Sequence, residues 1–355
     1  MMIHSKLKDY EVVIEDKLEF LSDFETENVQ FVIDKNVYCL YEQYFKNIPD
    51  GRLILLEATE GNKVIETALG ICEDMTEISA KRNIHLISIG GGIVQDITGF
   101  VANILYRGIR WTFIPTTLLA ACDSCIGGKT SLNYHKFKNL LGTFYPPDKI
   151  HICTKFFNTL SERDYKSGLG EVVKFNIMAG ADGLDNIEKG IESLLRKEDT
   201  AVQHFVCSSL SYKKTFIEID EFDRGERIKL NFAHTFGHAV EVVSNYEIPH
   251  GTAVAIGMIM ADRLSVKRGL LNEDAVKRSE EVLMKIIDID SELLNVDISD
   301  IIKAIRKDKK QTNDAMTAVL RTESDLEIIK DMTDEEVSYA VRYFKELYKT
   351  KNNMS

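Results

Sequence analysis

Short apolar runs alternate with helical stretches over the first 152 residues, and this alternation constrains the fold more than any other feature of the chain. Five of the runs are rich in β-branched and other apolar residues: VQFVIDKN, RLILLEA, IHLISIGGG, WTFIPTT and KIHICT. Strands that alternate with helices form a parallel sheet with crossover helices. The pattern predicts a Rossmann-like α/β domain over residues 1–152.

The apolar runs become longer and helically spaced after residue 152. The last run begins with Thr333 and Glu336 at capping-box spacing, which is typical of a helix start. Of the five prolines, only Pro249 lies in this part of the chain, which suits uninterrupted helices. We therefore predict a mostly helical C-terminal domain over residues 153–355, and an overall fold class of α/β plus α.

Charge and composition argue against several classes of partner. Lys and Arg total 44 against 56 Asp and Glu, and the net charge of −12 would repel nucleic acid or an anionic membrane. The N-terminus has no signal-like apolar segment, and no run reaches the roughly 20 apolar residues of a membrane span. The six cysteines are scattered and do not form a disulfide framework. We expect a cytoplasmic protein with no nucleic-acid or membrane partner.

The stretch HLISIGGGIVQDITGF has the order strand, glycine turn, helix, which is typical of a pyrophosphate-binding turn. Gly90 and Gly92 fit the G-x-G-x-x-G fingerprint, but the third position is Gln95. Taken alone, the motif fits a glycine-rich turn without a ligand equally well.

Polar residues follow two neighbouring predicted strands. Asp34 and Asn36 follow one, and Glu60 and Lys63 follow the next. Each alone is typical of a solvated loop. Together, at the carboxyl ends of parallel strands, they favour a nucleotide site.

Three of the eight histidines lie within one short region. His234 and His238 share a helix face in NFAHTFGHAVE, and His250 follows soon after. Thr235 stands where a metalloprotease needs Glu, so the peptidase interpretation fails. A single histidine on such a helix is more typical of a hydrogen-bonded core residue than of a metal ligand. A cluster of histidines could instead belong to a catalytic metal site, which usually has three protein ligands of N or O type.

A carboxylate for such a site could come from Glu171 in SGLGEVVKF, with Lys174 one turn away. Periodicity alone favours an ordinary surface ion pair between these two residues.

The stretch AACDSCIGGKTSLN contains two familiar spacings that both fail. Asp123 stands where a P-loop needs its first glycine, and no second C-x-x-C completes a zinc site with Cys122 and Cys125. We expect the cysteines on a strand and loop, whereas a redox pair begins a helix. Polar side chains around this stretch could hold a polyhydroxylated phosphate: Arg107, Asp123, Lys129, Lys138 and Asn139.

Six blocks in consistent order, between about Asp34 and Lys310, resemble 3-dehydroquinate synthase and the wider sugar phosphate cyclase family. The blocks are GGGIVQDITGF, LYRGIRWTFIPTTLLAACDSCIGGKTSLN, KNLLGTFYPP, LSERDYKSGLGEVVKF, LNFAHTFGHAVE and HGTAVAIGM. The resemblance implies a dehydroquinate synthase-like fold with a Rossmann-like domain and a helical domain, which agrees with the division above.

The resemblance also implies the cofactors. Glu171, His234 and His250 match the ligands of a catalytic Zn²⁺ or Co²⁺ ion, which leaves His238 as a proton-handling or phosphate-binding residue. The positions that match NAD contacts are Asp34, Asn36, Glu60, Lys63, Gly91, Gly92, Asp96, Thr116, Thr117, Lys138 and Thr159.

A further set matches positions that bind a small sugar phosphate substrate: Arg107, Asp123, Lys129, Asn139, Lys174, Lys213, Arg227, Asn231 and His238. Of these, the resemblance implies catalytic roles for Lys174, His238, Asp123 and Lys129. A substrate-covering lysine is either Lys309 or Lys310 in RKDKKQTN. Arg107 reaches the neighbouring subunit's site in this family, which implies a homodimer.

The activity implied is conversion of 3-deoxy-D-arabino-heptulosonate 7-phosphate to 3-dehydroquinate and phosphate. It runs through transient NAD-mediated oxidation, phosphate elimination, re-reduction and intramolecular aldol closure, as in aromatic amino acid biosynthesis by the shikimate pathway. Lys213 and Arg227 match positions that grip the substrate carboxylate, and a guanidinium suits that role.

Three departures leave other activities open. Gln95 stands where the family has Gly, and Thr252 stands where it has Glu. The stretches TFYPP and ACDSC also differ from the sequences common in dehydroquinate synthases. One alternative is a specialised sugar phosphate cyclase of a secondary or polysaccharide pathway. Another is a metal-dependent alcohol dehydrogenase of the glycerol type, which would not need the anion-binding set. A non-catalytic nucleotide-binding protein is disfavoured by the metal-ligand set.

Overall fold

The computed structural model describes residues 1–24, 28–78, 81–135, 137–290, 296–307 and 315–352. The chain divides into two compact units. The N-terminal unit comprises Met1–Ser161, Val202–Leu210 and Ile217–Phe222. The C-terminal unit comprises Glu162–Ala201, Ser211–Phe216 and Asp223–Ser355. The domain boundary at residue 152 stays a prediction.

A seven-stranded sheet forms the centre of the N-terminal unit. The strands of this unit are β1 (Met2–Ile3), β2 (Tyr10–Glu15), β3 (Val29–Asp34), β4 (Leu53–Leu56), β5 (His85–Gly90), β6 (Arg110–Pro115), β7 (Lys129–Tyr134), β8 (Phe137–Phe144) and β9 (Lys149–Cys153). The sheet order is β1-β2-β9-β6-β5-β3-β4, with β1 antiparallel to β2 and all other neighbours parallel. The parallel α/β architecture is thereby confirmed, and its strands include all five predicted runs.

Burial explains why these runs form strands. Strand β5 is buried from Leu86 to Gly90, and β6 from Trp111 to Pro115. Strands covered on both faces read as continuous apolar runs rather than as alternating ones. The helices of this unit are α1 (Lys35–Tyr41), α2 (Ile65–Glu77) and α3 (Gly92–Ile104). Because β3, β4, β5, β6 and β9 run parallel, their carboxyl ends share one edge of the sheet.

Helices dominate the C-terminal unit, as predicted. They are α4 (Glu162–Met178), α5 (Ala181–Leu195), α6 (Asp199–Ile219), α7 (His234–Val243), α8 (His250–Lys267), α9 (Glu273–Ile286), α10 (Ile298–Lys307) and α11 (Asp334–Asn352), of which α6 contributes to both units. A hairpin of β10 (Met316–Arg321) and β11 (Leu326–Met332) accompanies them.

Helix α8 is buried along most of its length and packs against α4, α7, α9 and α11. The capping box at α11 is confirmed, since the Glu336 carboxylate accepts a hydrogen bond from the Thr333 N–H at 2.9 Å and the Thr333 hydroxyl accepts one from the Glu336 N–H at 3.2 Å. Within the described ranges, none of the helices combines the length and apolar character needed to cross a bilayer.

Candidate active site

Most of the predicted cofactor residues lie where the parallel strands of the N-terminal unit end. Asp34 ends β3 and accepts a hydrogen bond from the Asn36 N–H at 2.8 Å, which caps α1. Gly91 precedes α3, and a Cβ atom there would lie 3.0 Å from the Thr117 side chain. Thr116 follows β6 directly. This edge combines a helix N-terminus with a close backbone approach, which suits a pyrophosphate.

The turn after β4 supplies two further predicted cofactor residues. Lys63 is buried, and its ammonium lies 2.6 Å from the Asp96 carboxylate on α3. Burial raises the pKa of Asp96, against the lowering effect of Lys63 and Ser131. Glu60, on the same turn, lies 3.9 Å from the Lys138 ammonium. The structure therefore brings Glu60, Lys63, Asp96 and Lys138 together.

Thr159 follows β9, and its hydroxyl lies 2.9 Å from that of Tyr41.

Gln95, the departure from the glycine fingerprint, is buried in the first turn of α3. Its amide donates to the Ser124 carbonyl at 2.7 Å, and the Ser124 hydroxyl donates back to the amide oxygen at 2.6 Å. Gln95 thus attaches the glycine-rich turn to the segment that carries Asp123.

The two cysteines lie on a helical turn, so the expected strand and loop are wrong. Ala120–Ser124 forms a wide helical turn in which the Cys125 N–H donates to the Ala120 carbonyl at 3.0 Å. The small residues of this stretch let the helix that begins after Thr117 continue. Cys122 and Cys125 are buried beside the helix backbone, which matches small packing residues rather than ligands.

A cluster of metal-ligating side chains lies in the C-terminal unit. Glu171, His234 and His250 each offer one donor atom, and these atoms lie within 4.8 Å of one another. The Nε2 atoms of His234 and His250 lie 3.6 and 3.5 Å from the same Glu171 oxygen. Two imidazoles and one carboxylate are the donors that catalytic zinc takes in proteins. The donor set therefore fits a divalent ion.

Both histidines are oriented by hydrogen bonds from their other ring nitrogen. The Nδ1 atom of His234 donates to the Phe232 carbonyl at 3.0 Å, and that of His250 donates to the Glu241 carboxylate at 3.2 Å. These bonds direct Nε2 of each ring towards Glu171 and fix the tautomer that binds a metal. Glu241 is absent from the predicted set; its place in HAVE, three residues after His238, is the signal that could have found it.

Two glycines allow the helices that carry Glu171 and His250 to meet. A Cβ atom at Gly170 would lie 2.0 Å from the Gly251 carbonyl oxygen, and one at Gly251 would lie 1.7 Å from the Ser167 carbonyl oxygen. Only glycine permits so close a backbone approach. As Gly170 precedes Glu171 and Gly251 follows His250, this contact brings these two side chains together.

Glu171 is 0% exposed and Lys174 is 2% exposed, which overturns the surface interpretation of this pair. Helix α4 is buried all round from Ser167 to Met178, so it has no polar face from which periodicity could be read. The Lys174 ammonium pairs with Glu171 and donates to the Leu230 carbonyl at 3.3 Å.

Hydrogen bonds and charge from Glu171 and Glu241 raise the pKa of His250 to about 10, against the lowering effect of burial. His250 therefore carries a proton at neutral pH, which a divalent ion would have to displace in order to bind there.

The other predicted substrate residues are spread over both units. In the C-terminal unit, Lys213 and Arg227 are buried, and Asn231 donates to the Ile228 carbonyl at 3.0 Å. The His238 ring lies 5.3 Å from the His234 ring. In the N-terminal unit, Arg107, Lys129 and Asn139 are exposed and Asp123 is half-buried. Lys309 and Lys310 lie outside the described residues.

Three known proteins are similar to this chain in sequence or in fold. The curated 3-dehydroquinate synthase of Dictyoglomus turgidum is 38% identical over 82% of this chain and 82% of its own length. The 2-epi-5-epi-valiolone synthase of Streptomyces hygroscopicus, solved with NAD⁺ and Zn²⁺ bound, has a TM-score of 0.82, is 25% identical, and covers 97% of this chain and 99% of that one. The glycerol dehydrogenase of Schizosaccharomyces pombe has a TM-score of 0.68 at 13% identity, covering 97% of this chain and 91% of that one.

The fold thus places the chain among proteins that share the architecture of sugar phosphate cyclases and glycerol dehydrogenases. Matches to family profiles show which family within this class the chain belongs to. Residues 53–167 match the 3-dehydroquinate synthase N-terminal domain, and residues 168–311 match the 3-dehydroquinate synthase C-terminal domain. The chain belongs to the 3-dehydroquinate synthase family.

Proposed function

We propose that the chain is a 3-dehydroquinate synthase, a carbon-oxygen lyase that converts 3-deoxy-D-arabino-heptulosonate 7-phosphate to 3-dehydroquinate and phosphate. The observation that carries the proposal is the cluster of the buried Glu171 with the half-buried His234 and His250, in which both imidazoles are held so that Nε2 faces the carboxylate. The family match supports this activity over other uses of the fold.

Two cofactors belong to the proposal, and the residues present fit both. Bound NAD supplies a reversible hydride acceptor, and a bound Zn²⁺ or Co²⁺ ion supplies a Lewis acid. The metal ligands would be Glu171, His234 and His250. NAD would lie along the sheet edge that carries Asp34, Glu60 and the glycine turn, with these predicted contacts: Asp34, Asn36, Glu60, Lys63, Gly91, Gly92, Asp96, Thr116, Thr117, Lys138 and Thr159.

Proton handling falls to Lys174 and His238. The Lys174 ammonium is buried next to Glu171, so it can stabilise negative charge that develops on a substrate oxygen there. The His238 imidazole lies beside the two histidine ligands and can hold or release a proton as phosphate leaves.

Charge complementarity supports an acidic sugar phosphate. Lys213 and Arg227 are both buried in the C-terminal unit and match the positions that grip the substrate carboxylate in the family, where a guanidinium can bind a carboxylate in a planar fork. They would bind the substrate carboxylate, with Asn231 beside them. Arg107, Lys129 and Asn139 would contact the phosphate, and Asp123 would accept a hydrogen bond from a substrate hydroxyl.

The test incubates the metal-loaded protein with NAD⁺ and the heptulosonate phosphate, and follows phosphate release together with product mass. We expect phosphate and 3-dehydroquinate in equal amounts. Phosphate release only from a sugar phosphate without a carboxylate would reject this substrate and favour the specialised cyclase, to which Gln95 and Thr252 point.

A glycerol-type dehydrogenase is the second candidate, because the fold alone is shared with that class. It predicts stoichiometric NADH without phosphate release. The match of residues 53–167 and 168–311 to the two domains of 3-dehydroquinate synthase argues against it.

We also propose a cytoplasmic homodimer in which Arg107 reaches the partner's site. Tyr106 and Arg107 both have a left-handed φ, 52° and 63°, and residues with such a strained backbone cluster at functional sites. The next residue, Gly108, has a φ of 116°. Mixing inactive Arg107→Ala with inactive Glu171→Gln should restore activity, because one site of the mixed dimer is intact. A mixture that exchanges subunits and stays inactive would contradict the shared site.

A further inference from the structure

Asn133, a buried residue outside every predicted set, joins two segments that carry predicted cofactor and substrate residues. It lies on β7 and is 8% exposed. Its amide nitrogen donates to the Glu60 backbone carbonyl at 3.1 Å and to the Glu60 carboxylate at 2.8 Å. Its amide oxygen accepts a hydrogen bond from the Asn139 N–H at 2.9 Å.

The orientation of this amide is fixed by its partners. The Glu60 carbonyl and carboxylate only accept hydrogen bonds, and the Asn139 N–H only donates one. A flipped amide would oppose like groups at all three contacts. The Asn133 amide therefore satisfies the hydrogen bonding of the Glu60 segment and of the Asn139 segment at the same time. A residue that only fills space in the core does not have to meet this condition.

The segment on the substrate side needs this support. Asn139 has a left-handed φ of 52°, which L residues rarely adopt. Its backbone N–H is held by Asn133, and its side-chain oxygen accepts hydrogen bonds from Lys63 at 2.6 Å and from Ser131 at 2.9 Å. Lys63 belongs to the turn that follows β4 and carries Glu60, here called the cofactor turn. The conformation of Asn139 is thus held partly by a residue of this turn.

The two segments are joined at a second point. The Asn133 N–H donates to the Lys63 carbonyl at 2.7 Å, so Glu60 and Lys63 both bond to Asn133. The Lys63 ammonium in turn donates a hydrogen bond to the side-chain oxygen of Asn139. Glu60, Asn133, Asn139 and Lys63 form a closed ring of hydrogen bonds in which a shift of the cofactor turn is passed to Asn139.

We propose that Asn133 is a positioning residue that couples NAD binding at Glu60 and Lys63 to phosphate binding at Asn139. The inference rests on the proposed function, which supplies the two ligands. Ordering the Glu60 turn with NAD would order Asn139, and a phosphate on Asn139 would in turn raise the affinity for NAD, since coupling between sites is reciprocal.

Calorimetry of NAD⁺ binding to the zinc-loaded enzyme, with and without inorganic phosphate, tests the coupling. In the parent protein we expect phosphate to raise NAD⁺ affinity by about fivefold or more. In Asn133→Ala the ratio of the two affinities should fall to about one. A parent ratio of one, or an unchanged ratio in the variant, would overturn the coupling while leaving the proposed function standing. A parent that binds no NAD⁺ would reject both.

Two further variants separate coupling from general loosening of the turn. Asn133→Asp keeps the acceptor for the Asn139 N–H but sets a carboxylate against that of Glu60, so NAD⁺ affinity should fall even without phosphate. Asn62→Ala is the matched control, since the Asn62 amide, on the same turn, donates to the Glu57 carbonyl at 2.9 Å and not to Asn133. If Asn62→Ala also abolished the ratio, stability of the turn would be the cause and the inference would fail.

Discussion

Replacing Gly251 by alanine should disrupt the metal site through backbone geometry, without altering a ligand. The added Cβ atom would lie 1.7 Å from the Ser167 carbonyl oxygen, whereas ordinary contact begins at 3.4 Å. Helices α4 and α8 must therefore separate locally by about 1.7 Å, the difference 3.4 − 1.7. No side-chain rotation can relieve the clash, because the obstacle is backbone.

The consequence for the ligands follows from the same number. The Nε2 atom of His250 lies 3.5 Å from the Glu171 oxygen, and a shift of 1.7 Å along that line takes it to about 5.2 Å, the sum 3.5 + 1.7. Two ligands bound at about 2.1 Å from one zinc ion can be at most about 4.2 Å apart. His250 and Glu171 could then no longer share a metal, and zinc affinity should fall by at least about tenfold, the lower end of the loss that follows mutation of groups that only orient metal ligands.

A competition titration with a chromogenic chelator measures that affinity. Gly70→Ala is the control, because Gly70 lies inside α2 with nothing within 4 Å of the added Cβ atom. It should keep zinc affinity and gain up to about 1 kcal/mol of stability. Overpacking at Gly251 should cost about 1–3 kcal/mol of unfolding free energy in the metal-free protein. A folded Gly251→Ala that binds zinc with parental affinity would refute the close-approach argument.

Three other predictions concern the site residues. The pKa of His250 is raised to about 10, so its protonation stabilises the metal-free protein fully below the ordinary pKa of 6.5, and this stability is lost as pH rises through about 10. Zinc binding near pH 7 should therefore release about one proton, which calorimetry in buffers of different ionisation enthalpy measures. Zinc binding without proton release would contradict the raised pKa. Glu171→Gln should abolish activity and weaken zinc binding at least about tenfold, and full activity with metal retained would refute the ligand assignment. Asp123→Ala should lower kcat/KM about a hundredfold or more, whereas Cys122→Ala should change it less than about tenfold, and equal losses would contradict the placement of Asp123 in the substrate site.

The parallel sheet was predictable because its strands are buried on both faces and therefore read as unbroken apolar runs, as in β5 and β6. The hairpin of β7 and β8 was not, since β8 has no buried residue and its sequence FKNLLGTF does not alternate regularly between apolar and polar residues. The proposed metal ligands followed from a family resemblance. Periodicity alone placed Glu171 on the surface, because α4 is enclosed on all sides.

Residues that act through neighbours were the ones the sequence could not reveal. Glu241 and Asn133 touch neither ligand directly in this account, and their roles depend on contacts with His250 and with Asn139. Local pattern carries no information about such contacts. The wide helical turn at Cys122 was not predicted for a related reason, because a short run of small residues is compatible with a helix and with a loop.

Transient oxidation is the central claim, and an isotope measurement tests it most directly. The heptulosonate phosphate would carry deuterium at the carbon that is oxidised and then reduced again, and the product and nicotinamide would be analysed after complete conversion. We expect a single turnover to be slower with the deuterated than with the unlabelled substrate, because the C–D bond is broken. We also expect the deuterium to return to 3-dehydroquinate, phosphate to be released in equal amount, and NAD⁺ to be recovered oxidised. Deuterium that accumulates in NADH without phosphate release would contradict these expectations.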